Sequence, residues 1–374
     1  MSAELRYVAE DAPTGYGDAA DRLVRAVRGV GTRVEYRGLS NTRAGATPAL
    51  VPFSRDPLPD ELASADAPTV AHLVPEYYPL VQSVLDGGRF VAHTVWESDR
   101  LPQHWPDLLN ATDRVIVPTG WNRDVFVASG VRAPVHVVPH VATAPEPGDS
   151  GAGLGLDPDD YAFYTIGRWD ERKAVFLAVE AYLRAFTADD PVVLVIKTGP
   201  RLEMPPGEWG AGNPMSWTTP WQVASLVRQF RKPARVRLEV ELWTDDRIAG
   251  LHTRGDCYLT LARGEGWAIG AFDASAYGNP VIATGWGGFL EYLDEDNAFL
   301  VDHALTPVEH NAFASYSRDQ RWAAPDVDHA VDVLRAVVAD PDAARARGAL
   351  ARDRVLDRYA PARVAATFLD VLRR

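Results

Sequence analysis

Gly264-Glu-Gly-Trp-Ala-Ile-Gly-Ala-Phe-Asp-Ala-Ser-Ala-Tyr-Gly-Asn-Pro-Val-Ile-Ala-Thr-Gly-Trp-Gly-Gly-Phe-Leu-Glu291 is the stretch on which the reading of the whole chain turns. It reads as a glycine-flanked acidic loop, a short helix over 269–277, a Gly-Asn-Pro turn, an apolar strand over 281–283 and a second glycine-rich loop with Gly287 and Gly288. Two such loops around one helix mark a ligand site. Glu265 precedes the helix and Asp273, eight residues later, lies one turn inside it, so both acids can face the helix N-terminus. That end presents unpaired N–H groups and partial positive charge, which suits a phosphate. Carboxylates beside a phosphate repel it unless they bind neutral hydroxyls of the same ligand. Amides for a diphosphate and acids for sugar and ribose hydroxyls together fit a nucleotide-sugar.

Upstream of this block the chain alternates strands and helices. A strand over 5–9, the glycine loop Ala12-Pro13-Thr14-Gly15-Tyr16-Gly17, a helix over 18–28 and a strand over 32–36 open a doubly wound sheet. The glycine spacing places Ala20 where a dinucleotide fingerprint has its third glycine, and Arg37-Gly38 stands where that fingerprint has a ribose-binding acid. The proline-rich residues 40–66 read as a surface loop, followed by apolar runs at 69–74 and 89–95 that carry His72 and His93, with Glu97 just beyond. Strand C-terminal ends face the ligand crevice of an open α/β sheet, which makes these side chains candidates for contact with substrate. Residues 145–160, rich in Gly, Pro and Asp, divide an N-terminal domain (1–144) from a C-terminal one (161–360).

The second domain opens with a strand over 162–166 and then Gly167-Arg168-Trp169-Asp170-Glu171-Arg172-Lys173 before a helix to Phe186. Arg168 and Lys173, five residues apart across that turn, can converge on one anion at the helix head, Arg as a forked donor and Lys as a point charge. The alternative is a solvated basic turn paired with Asp170 and Glu171. Further on, an insertion over 199–222 carries Trp209, Trp217 and Trp221, whose rings can stack on an acceptor or pack onto the domain.

The block from Glu265 to Ala283 resembles the donor motif of family 4-type retaining glycosyltransferases of the GT-B fold. Two acids eight positions apart are followed by Ala274, Ala276, Gly278, Pro280, Val281, Ile282 and Ala283, although the second acid is Asp273 where the family has Glu. The resemblance implies an α/β protein with two Rossmann-like domains facing across a cleft and a C-terminal helix over 361–374 crossing back to the first. It implies a donor diphosphate held by Arg168 and Lys173 and approached by Gly15 and Gly17, a donor sugar positioned by Glu265, and a ribose held by Asp273. It also implies retention of anomeric configuration, an N-domain histidine, here assigned to His93, and a UDP- or GDP-linked sugar as donor with a small molecule or glycan as acceptor. No cofactor or metal is required; Asp294-Glu295-Asp296 reads as a solvated acidic turn. The motif Val-Pro-His140 matches as well, but Val141-Ala142-Thr143 departs from the family pattern, and His140 is assigned no catalytic duty.

Composition bounds these readings. With 374 residues and 47% apolar side chains the chain can fill two cores, and a net charge of -13 argues against a nucleic-acid partner. The single cysteine, Cys257, sits in an apolar run and reads as a core thiol. Without an apolar leader or membrane-length run, the expectation is a cytoplasmic protein. Three rivals stay open: a nicotinamide oxidoreductase, disfavoured by the missing ribose acid; a sugar-nucleotide epimerase; and a non-catalytic nucleotide-sugar binding protein.

Overall fold

The computed structural model describes residues 4–12, 14–40, 49–57, 62–85, 87–145, 154–202, 217–309 and 315–374. They fall into two compact units, Met1–Thr143 with Asp357–Arg374, and Ala144–Leu356. Half of the interdomain stretch (146–153), the Trp209 part of the insertion (203–216), Pro13, and residues 41–48 and 58–61 of the proline-rich stretch lie outside the described residues.

The strands of the first unit are β1 (Leu5–Glu10), β2 (Val34–Ser40), β3 (Ala49–Pro52), β4 (Thr69–His72), β5 (Phe90–His93), β6 (Arg114–Val117) and β7 (Val135–Val137). They form one sheet in the order β3-β2-β1-β4-β5-β6-β7, parallel except for β3. Its helices are α1 (Gly15–Gly29), α2 (Tyr78–Val84), α3 (Trp105–Asn110), α4 (Gly120–Ala128) and, from the chain end, α11 (Pro361–Arg373). Inner parallel strands are covered on both faces, which is why β1, β4 and β5 are apolar runs, with Tyr7, Val8, Val70 and Val91 no more than 1% exposed.

Helix α1 starts at Gly15, ahead of the residue 18 expected from periodicity, because the Thr14 hydroxyl accepts from the Gly17 N–H and caps it. A Cβ at Gly17 would lie 2.2 Å from the Ala12 carbonyl oxygen, so this glycine is required by close packing of the helix start on the preceding loop. At the other end of the chain, α11 buries Val364, Ala365 and Phe368 in the first unit, with the Phe368 ring 6.0 Å from that of Tyr7. Its last carbonyls are capped by cations: Arg89 donates to Leu372 O at 2.6 Å and Arg114 to Val371 O at 3.1 Å.

The second unit is a six-stranded parallel sheet in the order β10-β9-β8-β11-β12-β13. The strands are β8 (Tyr161–Ile166), β9 (Val192–Lys197), β10 (Arg235–Glu239), β11 (Cys257–Thr260), β12 (Val281–Thr284) and β13 (Phe299–Val301). The helices are α5 (Val175–Ala185), α6 (Thr219–Val227), α7 (Asp245–Arg254), α8 (Ile269–Ala276), α9 (Val327–Ala339) and α10 (Pro341–Arg358). Strands β14 (His303–Pro307) and β15 (Arg321–Pro325) form a separate antiparallel pair. Helix α5 lays Val179, Tyr182 and Leu183 into a core shared with Phe163, Leu194, Leu259 and Leu334, and Cys257 lies there fully buried.

Three expectations are corrected. The proline-rich residues 40–66 are not loop throughout: β2 runs on to Ser40 and β3 pairs with it antiparallel, Leu39 opposite Leu50. A four-residue edge strand ending in Pro52 gives no alternating pattern, and an edge tolerates proline. The insertion ends earlier than expected, since α6 begins at Thr219 and carries Trp221, 38% exposed. The apolar run 236–242 reads as a single strand, but β10 spans Arg235–Glu239 and stops there, leaving Leu242 86% exposed beyond it. Nothing in the sequence reading anticipated β14 and β15.

Because Phe368 ties the final helix to β1, Phe368→Ala is expected to cost about 3–5 kcal/mol. The measurement is the urea midpoint of the first unit followed by Tyr or Trp fluorescence; a change below about 1 kcal/mol would mean α11 contributes little to that core.

Candidate functional site

In the second sheet β8 and β11 are neighbours although their first residues, Tyr161 and Cys257, stand 96 positions apart in the sequence. From β8 the chain builds outward through β9 and β10, and from β11 through β12 and β13. Their carboxyl ends therefore border a topological switch point, where open α/β sheets bind ligands. A pocket opens there, lined by Thr165, Gly167, Lys173, Thr260, Glu265 and Gly270 among others.

Its floor is an ion cluster. Glu265 is 6% exposed, and its Oε1 lies 2.5 Å from Lys173 Nζ while its Oε2 lies 3.4 Å from Arg172 Nη1. Arg172, 5% exposed, also donates through Nη1 to Gly264 O at 2.7 Å, and its own carbonyl accepts from the Arg263 N–H at 2.7 Å. Burial alone pushes the Glu265 carboxyl up, but the attraction and hydrogen bonds of Lys173 and then Arg172 outweigh it and hold the pKa below the ordinary carboxylate value.

Two helix N-termini border the same pocket. The residues before α5 and α8, Ala174 and Ala268, are left-handed at φ 44° and 70°, and neither helix start has a side-chain cap. Among the described residues these are the only non-glycine positions with positive φ. Each costs about 1–2 kcal/mol, so the surrounding contacts must enforce them. Asp170 holds the first turn, its Oδ1 accepting from Lys173 N at 2.6 Å. The second is held by the Tyr292 hydroxyl, which donates to Trp267 O and Ala268 O, each at 3.0 Å. Uncapped N–H groups and aligned peptide dipoles at both starts suit a phosphate.

Glycines let the loops close. The Gly288 N–H donates to Glu265 O at 2.8 Å, and a Cβ at Gly288 would lie 2.2 Å from Gly266 O, so no larger residue fits against the acidic loop. Gly287 takes φ 73° at the start of a short 3-10 turn, Gly287–Glu291. Gly270 leaves room for the Tyr258 hydroxyl, which would meet a Cβ at 2.5 Å and donates to Ile166 O at 3.1 Å.

The structure brings Lys173 and Glu265 together and places Gly287 and Gly288 behind them. Arg168 lies on the same turn, 44% exposed in its side chain, with Nε 3.5 Å from Asp170 Oδ2, an ion pair too long to be a hydrogen bond. It is not among the residues lining the pocket. Asp273, the fifth residue of α8, is half-buried and acts electrostatically on Tyr164 and Tyr258. The idea that both acids are left free for hydroxyls is corrected for Glu265, whose carboxylate is already engaged by two cations. Arg172 and the Tyr258–Gly270 contact were missed; the sequence signal for Arg172 was only its place beside Lys173. The Asp294–Asp296 turn is held by Arg354, 2.6 Å from Asp294 Oδ2, and among the described residues no group of three His, Cys, Asp or Glu is arranged to hold a metal.

In the first unit, Gly15 is exposed at the start of α1, whereas His93, the last residue of β5, is 1% exposed. Its ring stacks on His72 at 3.7 Å and 3° between planes. The Tyr7 hydroxyl bridges both Nδ1 atoms, at 2.9 Å to His72 and 3.0 Å to His93, so one imidazole donates to it and the other accepts. His93 Nε2 is buried without a hydrogen-bond partner among the described residues. Burial first and the nearby imidazole of His140 second hold the His93 pKa well below its usual value; His72 is lowered by burial, His93 and His140. Both rings are neutral at pH 7. Glu97 is half-buried beyond the strand end.

The Glu265 cluster has a pH signature. A carboxyl with a depressed folded pKa contributes stability above its unfolded value of 4.5, and that contribution is lost as pH falls through the folded pKa. Glu265→Gln leaves two cations facing a neutral amide and is expected to cost about 3–5 kcal/mol at pH 7. Thermal melts of both proteins from pH 7 to pH 3 should converge at the acid end; a constant gap would show that Glu265 is not held ionised by this cluster.

No family model matches the chain. It is 27% identical over 227 residues to a D-inositol 3-phosphate glycosyltransferase of Rhodococcus jostii (strain RHA1), which covers 59% of this chain and 43% of that protein. The chain thus spans under half the length of the curated relative it matches. Among solved structures it resembles Anabaena HepE in complex with UDP-glucose, at 13% identity with a TM-score of 0.67 and 99% of each chain covered. It also resembles a sucrose-phosphate synthase of Thermosynechococcus elongatus, at 14% identity and a TM-score of 0.67, covering 99% of this chain and 98% of the other. Likeness at this identity reaches to the fold: the chain has the GT-B fold and is similar to glycosyltransferases built on it.

Proposed function

We propose that the chain is a glycosyltransferase that moves a sugar from a nucleotide-sugar donor to an acceptor hydroxyl. The observation that carries this is the pocket at the β8–β11 switch point, where Lys173 and two uncapped helix starts surround a buried acid, Glu265. Positive charge and free amides match a diphosphate, and an ionised carboxylate beside them matches the hydroxyls of the attached sugar. The name of the Rhodococcus relative and the UDP-glucose held by HepE support the same class of reaction and favour a UDP-linked donor, with a GDP-linked one next.

In this scheme Lys173, Arg168 and the dipoles of α5 and α8 offset charge on the departing nucleoside diphosphate. Those positive groups supply the stabilisation that a metal would otherwise give, so the proposed reaction is metal-independent. Glu265 orients the donor sugar and Asp273 the ribose. Retention of anomeric configuration is proposed on the resemblance of the Glu265-to-Ala283 block. His93 is proposed as the histidine of the acceptor side, acting as a neutral donor through Nε2, the atom left without a partner among the described residues. Among the described residues no helix is long and apolar enough to cross a membrane, and a cytoplasmic location is part of this proposal.

Thermal melts with a panel of UDP-, GDP- and ADP-linked sugars and with NAD test the reading. A matching donor at a hundred times its Kd stabilises by about 2.7 kcal/mol, and Lys173→Ala should abolish that shift. Incubation of the responding donor with and without candidate acceptors then separates transfer from epimerisation. A shift with NAD and with none of the nucleotide-sugars would overturn the proposal.

A further inference from the structure

The two cations on Glu265 are not equivalent. Arg172 is locked: its side chain is 6% exposed, one guanidinium nitrogen spans Glu265 Oε2 and Gly264 O, and its carbonyl is tied to the Arg263 N–H. Lys173 is adjustable: its side chain is 25% exposed, it lines the pocket, and it pairs with Glu265 Oε1 at 2.5 Å. An ammonium on a four-carbon stem can reach a new anion without movement of the backbone, whereas a planar guanidinium held at several points cannot.

We infer that Lys173 changes partners when donor binds, leaving Glu265 Oε1 for the diphosphate, while Arg172 stays behind as the positioning residue that keeps Glu265 ionised and aligned. This rests on the donor reading above and assigns a division of labour within it. The lysine that occupies Oε1 in the free protein is a stand-in for the neutral sugar hydroxyls that take its place. A buried carboxylate deprived of both cations would take up a proton. Arg172 prevents that, so the departure of Lys173 does not convert Glu265 from a hydroxyl acceptor into an acid. Glu265 in turn acts on Tyr258 of β11, which is also within the field of Asp273 from α8; burial and then Glu265 hold the Tyr258 phenol up, so it stays neutral.

The test is calorimetric titration of wild-type protein, Arg172→Met, Arg172→Lys and Lys173→Met with UDP and with UDP-glucose, in two buffers of different ionisation heat at pH 6.5. Wild type should bind both ligands with no net proton exchange at Glu265. Arg172→Met should take up close to one proton with either ligand, because the diphosphate draws Lys173 away in both; it should bind UDP within about threefold of wild type but UDP-glucose at least tenfold more weakly, since only the sugar needs Glu265 as an ionised acceptor. Lys173→Met should lose both ligands alike. Arg172→Lys keeps a charge without the second contact to Gly264, and should restore UDP-glucose binding in part and abolish proton uptake. Arg172→Met losing UDP and UDP-glucose equally, or binding both as wild type without proton uptake, would overturn the inference. Where Arg172→Met fails to fold, Arg172→Lys decides alone, because equal loss of both ligands in it has the same meaning. Wild type binding neither ligand would remove the donor reading itself.

Discussion

A buried carboxylate can remain ionised only where cations meet it, and the pocket of the second unit is arranged around meeting that need at Glu265. Lys173 and Arg172 arrive from the turn after β8, whereas the carboxylate arrives from the loop after β11. The pair therefore fastens together two chain segments whose strands are adjacent in the sheet but distant in sequence. Desolvation is the larger single influence on Glu265, and the cluster stands only because both cations are close. Within the cluster itself two cations face one acid, so these three side chains together carry one positive charge before any ligand enters.

The loops that carry these residues are set by contacts that leave little freedom. Ala174 and Ala268 sit in left-handed backbone immediately before α5 and α8, a conformation that suits glycine better. Asp170 and Tyr292 hold them there through hydrogen bonds to the turns, and Gly288 lets a second loop press on the carbonyls of Glu265 and Gly266. The outcome is two helix starts whose N–H groups are directed at the pocket without side-chain caps. Backbone strain and omitted caps are both destabilising taken alone; their coincidence at one place is what marks it as a site.

The first unit uses a different device. Tyr7 on β1 joins His72 on β4 and His93 on β5 through one hydroxyl, and the two rings stack as neutral groups. Tyr7 also meets Phe368 of the final helix, so the polar cluster at the strand ends and the apolar packing of the chain terminus share a residue. Burial keeps those histidines uncharged, which suits hydrogen-bond donation better than proton storage.

Much of this was legible in the residues. Parallel strands covered on both faces are mostly apolar, so β1, β8 and β12 announced themselves, and α1 and α5 followed from periodicity. Short edges such as β3, and the β14–β15 pair, gave no comparable signal because one polar-tolerant face removes the pattern. Glu265, Lys173 and the glycines of the second loop were singled out by their spacing and by the resemblance of the Glu265-to-Ala283 block, and the fold places Lys173 and Glu265 at one pocket. What the linear order could not decide was direction. Arg168 and Arg172 flank the same turn, and only the folded backbone, bent through Asp170 and Ala174, sends Arg172 inward to the carboxylate and leaves Arg168 half-exposed beside Asp170. Sequence sets which charges are available; the tertiary path of a turn sets which of them lose their water and so must find a partner.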